Sequence, residues 1–300
     1  MPVPTRRYGL LSKRLEQFTR TLQGLEHGEV RAVHRTRVAS RRLRELLPIL
    51  RLDSDVARKL SRRLRNVTKR LGAVRELDVL LLLIDELHES GRHGEGSLKR
   101  LAAVAAGEQP KARERLVAKL PTAELHRLAA KLDKIAGALK ASERSSGRGA
   151  RSSRWAVEAR LTHRAAGLRT AMHDAGAVYL PERLHTVRLA LKKLRYTVEL
   201  SAELSGLKAT PELRALKRTQ DVLGRLHDVQ VVIDRVRELQ ASLAPPDVAA
   251  WRELDALITS LENTCRRLHA GYMHERAELV AICDRVGVRP AAPAVRHRAG

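Results

Sequence analysis

Aromatic side chains are almost missing from this sequence: one Phe, two Trp and four Tyr in 300 residues. Modules that hold single-stranded nucleic acid stack its bases on aromatic platforms, so the sheet-based RNA binders and the single-strand-binding barrels are poor models for its function. The few aromatics, Phe18, Trp155, Trp251 and the tyrosines, are scattered, which assigns them to packed cores. Cysteine is as scarce. Cys265 and Cys283 fall 18 residues apart on one predicted helix, about 27 Å at 1.5 Å per residue and beyond the reach of a disulfide. A reduced, cytoplasmic setting is expected. Long apolar runs are absent. The longest, Val79–Ile84, stops at Asp85 and Glu86, too short for a bilayer, and Met1–Leu15 has no run of signal-peptide length. There is no Gly-x-x-x-x-Gly-Lys-Ser/Thr phosphate loop, no His-Glu-x-x-His helix and no Gly-x-Ser-x-Gly elbow. Cysteines this far apart have no metal-ligand spacing, and no cofactor or metal site is expected.

Acidic residues are too few to balance the basic ones. Against 58 Lys+Arg stand 34 Asp+Glu, for a net charge of +24 and a pI of about 11.1. Such a field attracts polyanions and strains the compact chain by self-repulsion. Nucleic acid, an anionic membrane surface and polyphosphate are the candidate partners. Hydrophobic residues reach 43%, enough for a core. The length suits two domains, or one built from two similar halves.

Helical periodicity runs through nearly the whole chain, without sustained strand alternation. It predicts helices near 8–26, 30–51, 54–89 and 97–141, then 152–176, 181–205, 211–241 and 247–286. Asp53 or Ser54, Thr210 before Pro211, Pro181 and Asp247 mark helix starts, and Pro245-Pro246 breaks the chain before the last helix. Ser145–Ser153 reads as a Gly/Ser/Arg linker near the midpoint, and 287–300 as a frayed tail. The halves on either side repeat. His34-Arg-Thr-Arg-Val-Ala-Ser-Arg-Arg-Leu-Arg44 aligns with His185-Thr-Val-Arg-Leu-Ala-Leu-Lys-Lys-Leu-Arg195, from 34 to 185. Leu71-Gly72-Ala-Val-Arg-Glu-Leu-Asp-Val79 aligns with Leu223-Gly224-Arg-Leu-His-Asp-Val-Gln-Val231. Two motifs in the same order and near-constant separation indicate an internal duplication.

On a helix, His34, Arg37, Arg41 and Arg44 fall within about 80° of arc, beside an apolar face of Ala32, Ala39, Leu43, Leu46, Leu47 and Leu50. His185, Arg188, Lys192 and Arg195 repeat the stripe, with Arg42 and Lys193 on the flanks. A second stripe holds Arg58, Arg62, Arg65 and Lys69; its counterpart, Arg214, Lys217, Arg218 and Arg225, is broader and interrupted by Asp221. One basic stripe alone reads as a solvated helix face. Here the stripes recur across the duplication with few acidic neighbours at i+3 or i+4 to relieve them, and arginine's planar fork matches phosphate. Glu76, Asp78 and Asp228 are the carboxylates with any pattern; pairing with nearby arginines or positioning between helices explains them better than catalysis. Gly72 and Gly224, costly inside helices, suggest close helix–helix approach.

The repeated His-x-x-Arg-Val/Leu-Ala-x-basic-basic-Leu-Arg motif resembles that of the CHAD domains, the conserved-histidine α-helical domains. So do the two Leu-Gly motifs, and Lys193-Leu-Arg-Tyr196 followed by Glu199; the likeness spans about 5–286. It implies an all-α fold: two pseudo-symmetric four-helix bundles, 5–145 and 150–286, packed around a basic central cavity or pore. The implied ligand is inorganic polyphosphate. By position, the implied ligand-facing residues are His34, Arg37, Arg41, Arg42 and Arg44, with His185, Arg188, Lys192, Lys193 and Arg195; the stripes add Arg62, Arg65, Lys69, Lys217, Arg218 and Arg225. Some related proteins carry a triphosphate-tunnel enzyme domain with a Glu-x-Glu-x-Lys strand motif, absent here, so non-catalytic binding is expected. Others associate with polyhydroxyalkanoate granules, which makes polyphosphate or storage granules a further expected partner. The alternatives are a nucleic-acid-binding protein, which the net charge alone supports, and a polyphosphate-processing enzyme.

Overall fold

The computed structural model describes residues 7–145, 149–205, 211–243 and 247–287. Thr210, Pro245–Pro246, the centre of the expected linker (146–148) and the tail from 288 lie outside them. Among the described residues the fold is all-helical: α1 (Arg7–Thr19), α2 (Leu22–Glu26), α3 (Val30–Leu46) with a 3-10 turn at Leu47–Ile49, α4 (Ser54–Glu89), α5 (Glu95–Lys119), α6 (Thr122–Ser145), α7 (Gly149–Ala175), α8 (Pro181–Ser205), α9 (Pro211–Ala241) and α10 (Val248–Gly287).

Local chemistry sets the boundaries. Asp53 Oδ1 accepts from the backbone N–H of Asp55 at 2.9 Å and of Val56 at 3.2 Å, capping α4. Asp247 does the same for α10, accepting from Ala250 N at 3.1 Å. Gly176 turns the chain before Pro181 at a φ of 66°, where a side chain is strained. Three expected spans need correction. The helix foreseen over 97–141 is two, α5 and α6, because Pro121 drives Leu120 out of the helical region (φ −138°, ψ 70°). The one foreseen over 8–26 breaks between Thr19 and Leu22. The expected linker is largely helix, since Gly149–Ser153 are the first residues of α7.

Packing divides into two apolar clusters, each drawing on both halves of the sequence. The larger joins Leu10 and Phe18 of α1, Leu43 of α3, Leu64 and Val74 of α4, Leu132 of α6, Leu168 of α7, Leu191 of α8, Leu223 and Leu226 of α9 and Tyr272 of α10. The smaller joins Leu77–Leu87 of α4, Leu98 and Leu101 of α5, Val229–Val236 of α9 and Leu254–Cys265 of α10. So α4 passes from one cluster to the other between Val74 and Leu77, and α9 between Leu226 and Val229. Two buried hydroxyls of α3 bond within their own helix: Thr36 donates to the Ala32 carbonyl and Ser40 to that of Thr36, each at 2.8 Å. Phe18 and Tyr272 are fully buried, but Trp155 and Trp251 are 65% and 49% exposed, contrary to their expected place in cores. Both cysteines are buried free thiols. No helix among the described residues is long and apolar enough to cross a membrane.

Candidate functional site

Where α4 and α9 change cores, the helices leave a cavity of about 800 Å³. Its wall is built from α3 (His34, Arg37, Val38, Arg41), α4 (Arg75, Glu76, Val79, Leu80), α8 (His185, Arg188, Leu189, Lys192, Arg195, Tyr196) and α9 (Gln220, Asp221, Gly224, Arg225, His227, Asp228, Val231). In α3 and α8 the basic stripe flanks the face that inserts into the larger core. Burying that face therefore aims the stripe into the gap between the helices.

Of the residues expected from sequence, the cavity gathers His34, Arg37, Arg41, His185, Arg188, Lys192, Arg195 and Arg225. The others lie outside its wall. Arg42 reaches across to Glu199 of α8 at 3.7 Å. Arg44, one turn beyond Arg41, joins Arg160 and Arg164 of α7 around buried Glu45, at 3.8, 2.9 and 3.7 Å. Arg62, Arg65, Lys69 and Lys193 are exposed. Lys217 pairs with Asp221 at 2.6 Å and Arg218 with Glu278 at 2.9 Å. Two cavity residues went unremarked as ligands in the sequence: Arg75 and His227. They occupy equivalent positions of the duplicated Leu-Gly motif, and that equivalence was the signal available.

The cavity holds more positive charge than its acids offset. Among the described residues, Arg37, Arg41, Arg75, Arg188 and Lys192 have no carboxylate within ion-pair distance, whereas Arg195 pairs with Glu199 and Arg225 forks onto Glu86 at 2.7 and 2.5 Å. The buried Nε atoms of Arg37 and Arg188 have no hydrogen-bond partner there. Desolvating a charge without a partner costs several kcal/mol, and proton affinities follow. Burial first, then Arg188, Arg41 and Arg37, push the Lys192 ammonium down to about 7. Burial, then Arg188, His185 and Lys192, push His227 down to about 4. Burial and neighbouring cations also lower His34 and His185. His185 and His227 stack with ring centroids 4.7 Å apart. The cavity therefore disfavours the cationic form of all three imidazoles, through burial and through the neighbouring cations.

The carboxylates divide. Asp78 is buried away from the cavity, accepting from Gln109 at 2.9 Å and Arg113 at 3.5 Å, so it positions α5 against α4. Glu76 and Asp228 line the wall. Burial raises the proton affinity of Asp228, against the pull of Arg188, Lys192, Arg75 and Arg225. Among the described residues no group of three or more His, Cys, Asp or Glu is placed to hold a metal ion.

The glycines do not mark close helix approach. A Cβ at Gly72 would lie 3.9 Å from its nearest neighbour, and one at Gly224 would meet nothing within 4 Å. Gly224 is bare backbone on the cavity wall. Gly224→Ala is expected to raise stability by about 0.5–1 kcal/mol, the helix-propensity difference in open space. Urea unfolding of the empty protein measures it.

The CHAD domain family model matches residues 9–237. The fold is similar to the crystal structure of the CHAD domain from the plant Ricinus communis, with 23% identity, 97% of this chain and 96% of that one covered, and a TM-score of 0.57. It is similar also to PptA from Streptomyces chartreusis, with 22% identity, coverage of 95% and 98%, and a TM-score of 0.57. No curated protein matches the chain.

Proposed function

Because the chain belongs to the CHAD domain family, we propose that its basic cavity binds inorganic polyphosphate without catalysing a reaction on it. The observation that carries the reading is the set of cations that α3, α4 and α8 bring together without acidic partners among the described residues. Arg37 and Arg41 from the first copy of the motif meet Arg188 and Lys192 from the second. We read this as the two pseudo-symmetric halves facing each other across a basic pore. A linear chain of phosphates supplies what the site lacks: closely spaced negative charge, and oxygens that accept from arginine forks. Apart from its three imidazoles, two of them already packed on each other, the described wall offers one aromatic ring, the buried Tyr196, which is a poor platform for stacking successive bases. Glu76 and Asp228 stand among cations rather than in a metal-holding group, which favours binding over phosphoryl transfer. Attachment to polyphosphate or storage granules follows as the cellular consequence.

The test is competition at physiological salt, with labelled long-chain polyphosphate displaced by unlabelled polyphosphate, duplex DNA or RNA. Polyphosphate is expected to outcompete both nucleic acids. The Arg37→Ala/Arg41→Ala/Arg188→Ala/Lys192→Ala variant is expected to lose at least about 1000-fold in affinity, at roughly 1.5 kcal/mol or more per charged hydrogen bond and allowing for non-additivity. Equal binding of all three polymers, untouched by the substitutions, would reduce the interaction to net charge. Phosphate release with Mg²⁺ or Mn²⁺ would return the enzyme alternative.

A further inference from the structure

The cavity leaves Lys69 unexplained, and with it the side of α4 that faces α5. There the two helices stand apart over a hollow of about 520 Å³. Lys69, Arg70, Arg115 and Lys119 line it, and no carboxylate does. Arg70 is committed to structure: its guanidinium donates to the Lys119 carbonyl at the end of α5 and lies 3.6 Å from Glu124. Lys69, Arg115 and Lys119 are exposed, and their side chains have no acidic partner among the described residues.

Shared wall residues link the hollow to the central cavity. Ala73, Ala112 and Arg115 also line a neighbouring hollow of about 320 Å³, whose far wall, Glu76, Leu80 and Val231, belongs to the cavity as well. Lys111 adds a cation on this stretch, and Glu108 is held by Arg235 at 3.0 Å. At the other end, Asn66 and Arg70 lead into a third hollow of about 210 Å³ beside Arg63 and Arg127. These adjoining hollows form a groove-like row along α4 and α5 beside the cavity, with basic residues spaced over several turns and Glu108 and Glu124 held by Arg235 and Arg70.

We propose that this groove is a second polyanion-binding segment, in which Lys69, Arg115 and Lys119 hold the part of a long polyphosphate chain that emerges from the central cavity. The inference rests on the cavity being the primary polyphosphate site. A ligand whose charge repeats along its length can engage both segments at once. The second engagement is intramolecular, so chain length becomes affinity without any stronger single contact.

The experiment compares tripolyphosphate with long-chain polyphosphate across a salt series, on three variants. Lys69→Ala/Arg115→Ala/Lys119→Ala removes the groove cations and spares Arg70. Lys131→Ala/Lys134→Ala/Arg252→Ala removes the same charge from exposed positions elsewhere. The four-residue cavity variant tests the primary site. The groove variant is expected to keep tripolyphosphate affinity within twofold and to lose about tenfold or more for the long chain. Its plot of log affinity against log salt should flatten by about 2, from three phosphate contacts at 0.7–0.9 each. Long-chain affinity and slope that match those of the charge-matched control would overturn the groove. The cavity reading would survive that result, and would itself fail only if the cavity variant bound both probes as the wild type does.

Discussion

Replacing Arg188 and Lys192 by methionine is expected to stabilise the empty protein and to abolish its stabilisation by polyphosphate. Both side chains are half-buried on α8, opposite Arg37 and Arg41, and neither has an ion-pair partner among the described residues. Apolar side chains of similar length in place of buried ionic groups are often stabilising by about 1–4 kcal/mol. At roughly 2–4 °C per kcal/mol for a chain of this size, the empty variant should melt several degrees higher. Wild-type protein with polyphosphate at about 100 times Kd should gain about 2.7 kcal/mol, or roughly 5–10 °C; the variant should gain less than a third of that. The opposed signs are the diagnostic part. A lowered melting temperature with the ligand shift retained would mean that these residues hold the fold together and do not bind.

The second large effect is on pH. Lys192 faces Arg188 on its own helix, Arg37 and Arg41 on α3 and Asp228 on α9, and releases its proton near 7. In the unfolded chain the same amine holds its proton to about 10.4. Between these values the unfolded state binds the extra proton, so this group makes the empty protein more stable as pH rises from about 7 towards 10, and least stable below 7. Polyphosphate reverses the pressure by restoring a counter-charge, which raises the Lys192 pKa in the complex. Binding near neutrality must then take up protons: about half a proton from Lys192 at pH 7, approaching one by about pH 8.5. Affinity should fall as pH rises through that window. Below it, the lowered pKa values of His34, His185 and His227 should strengthen binding further as they charge. Calorimetry in two buffers of different ionisation enthalpy counts the protons. Lys192→Met should remove most of the uptake above pH 7, and an unchanged count would show that the amine is not the group responsible.

Periodicity reported faces well and levels poorly. Except for Arg44, the stripe residues of α3 and α8 reach the cavity because both helices lie along it, and the spans of α4, α8 and α9 were readable to the residue. Arg62, Arg65 and Lys69 failed as cavity residues for two reasons that a helical wheel hides. α4 has 36 residues, about 54 Å of helix, and meets the cavity only around Arg75–Leu80. Arg75 also lies about 80–140° round the axis from those three. Lys217 shares a face with Asp228 but sits some three turns away, where Asp221 satisfies it. His227 and Arg75 were recoverable, since the duplication aligns them, but the glycine of that motif drew the reading towards helix packing. The Pro121 break was hidden by apolar residues, Leu120, Leu125, Leu128 and Leu132, that keep a helical period on both sides of it.

The unpaired guanidinium and ammonium groups of the cavity have a consequence for the heat of binding. In salt solution such a pocket concentrates small mobile anions around itself, as does the polyphosphate chain with cations. When the two meet, both atmospheres are set free. Dilution of the freed ions into bulk, more than new bond enthalpy, then drives association. The measured enthalpy should be small at low salt, and the affinity should track the logarithm of salt concentration far more steeply than it tracks temperature.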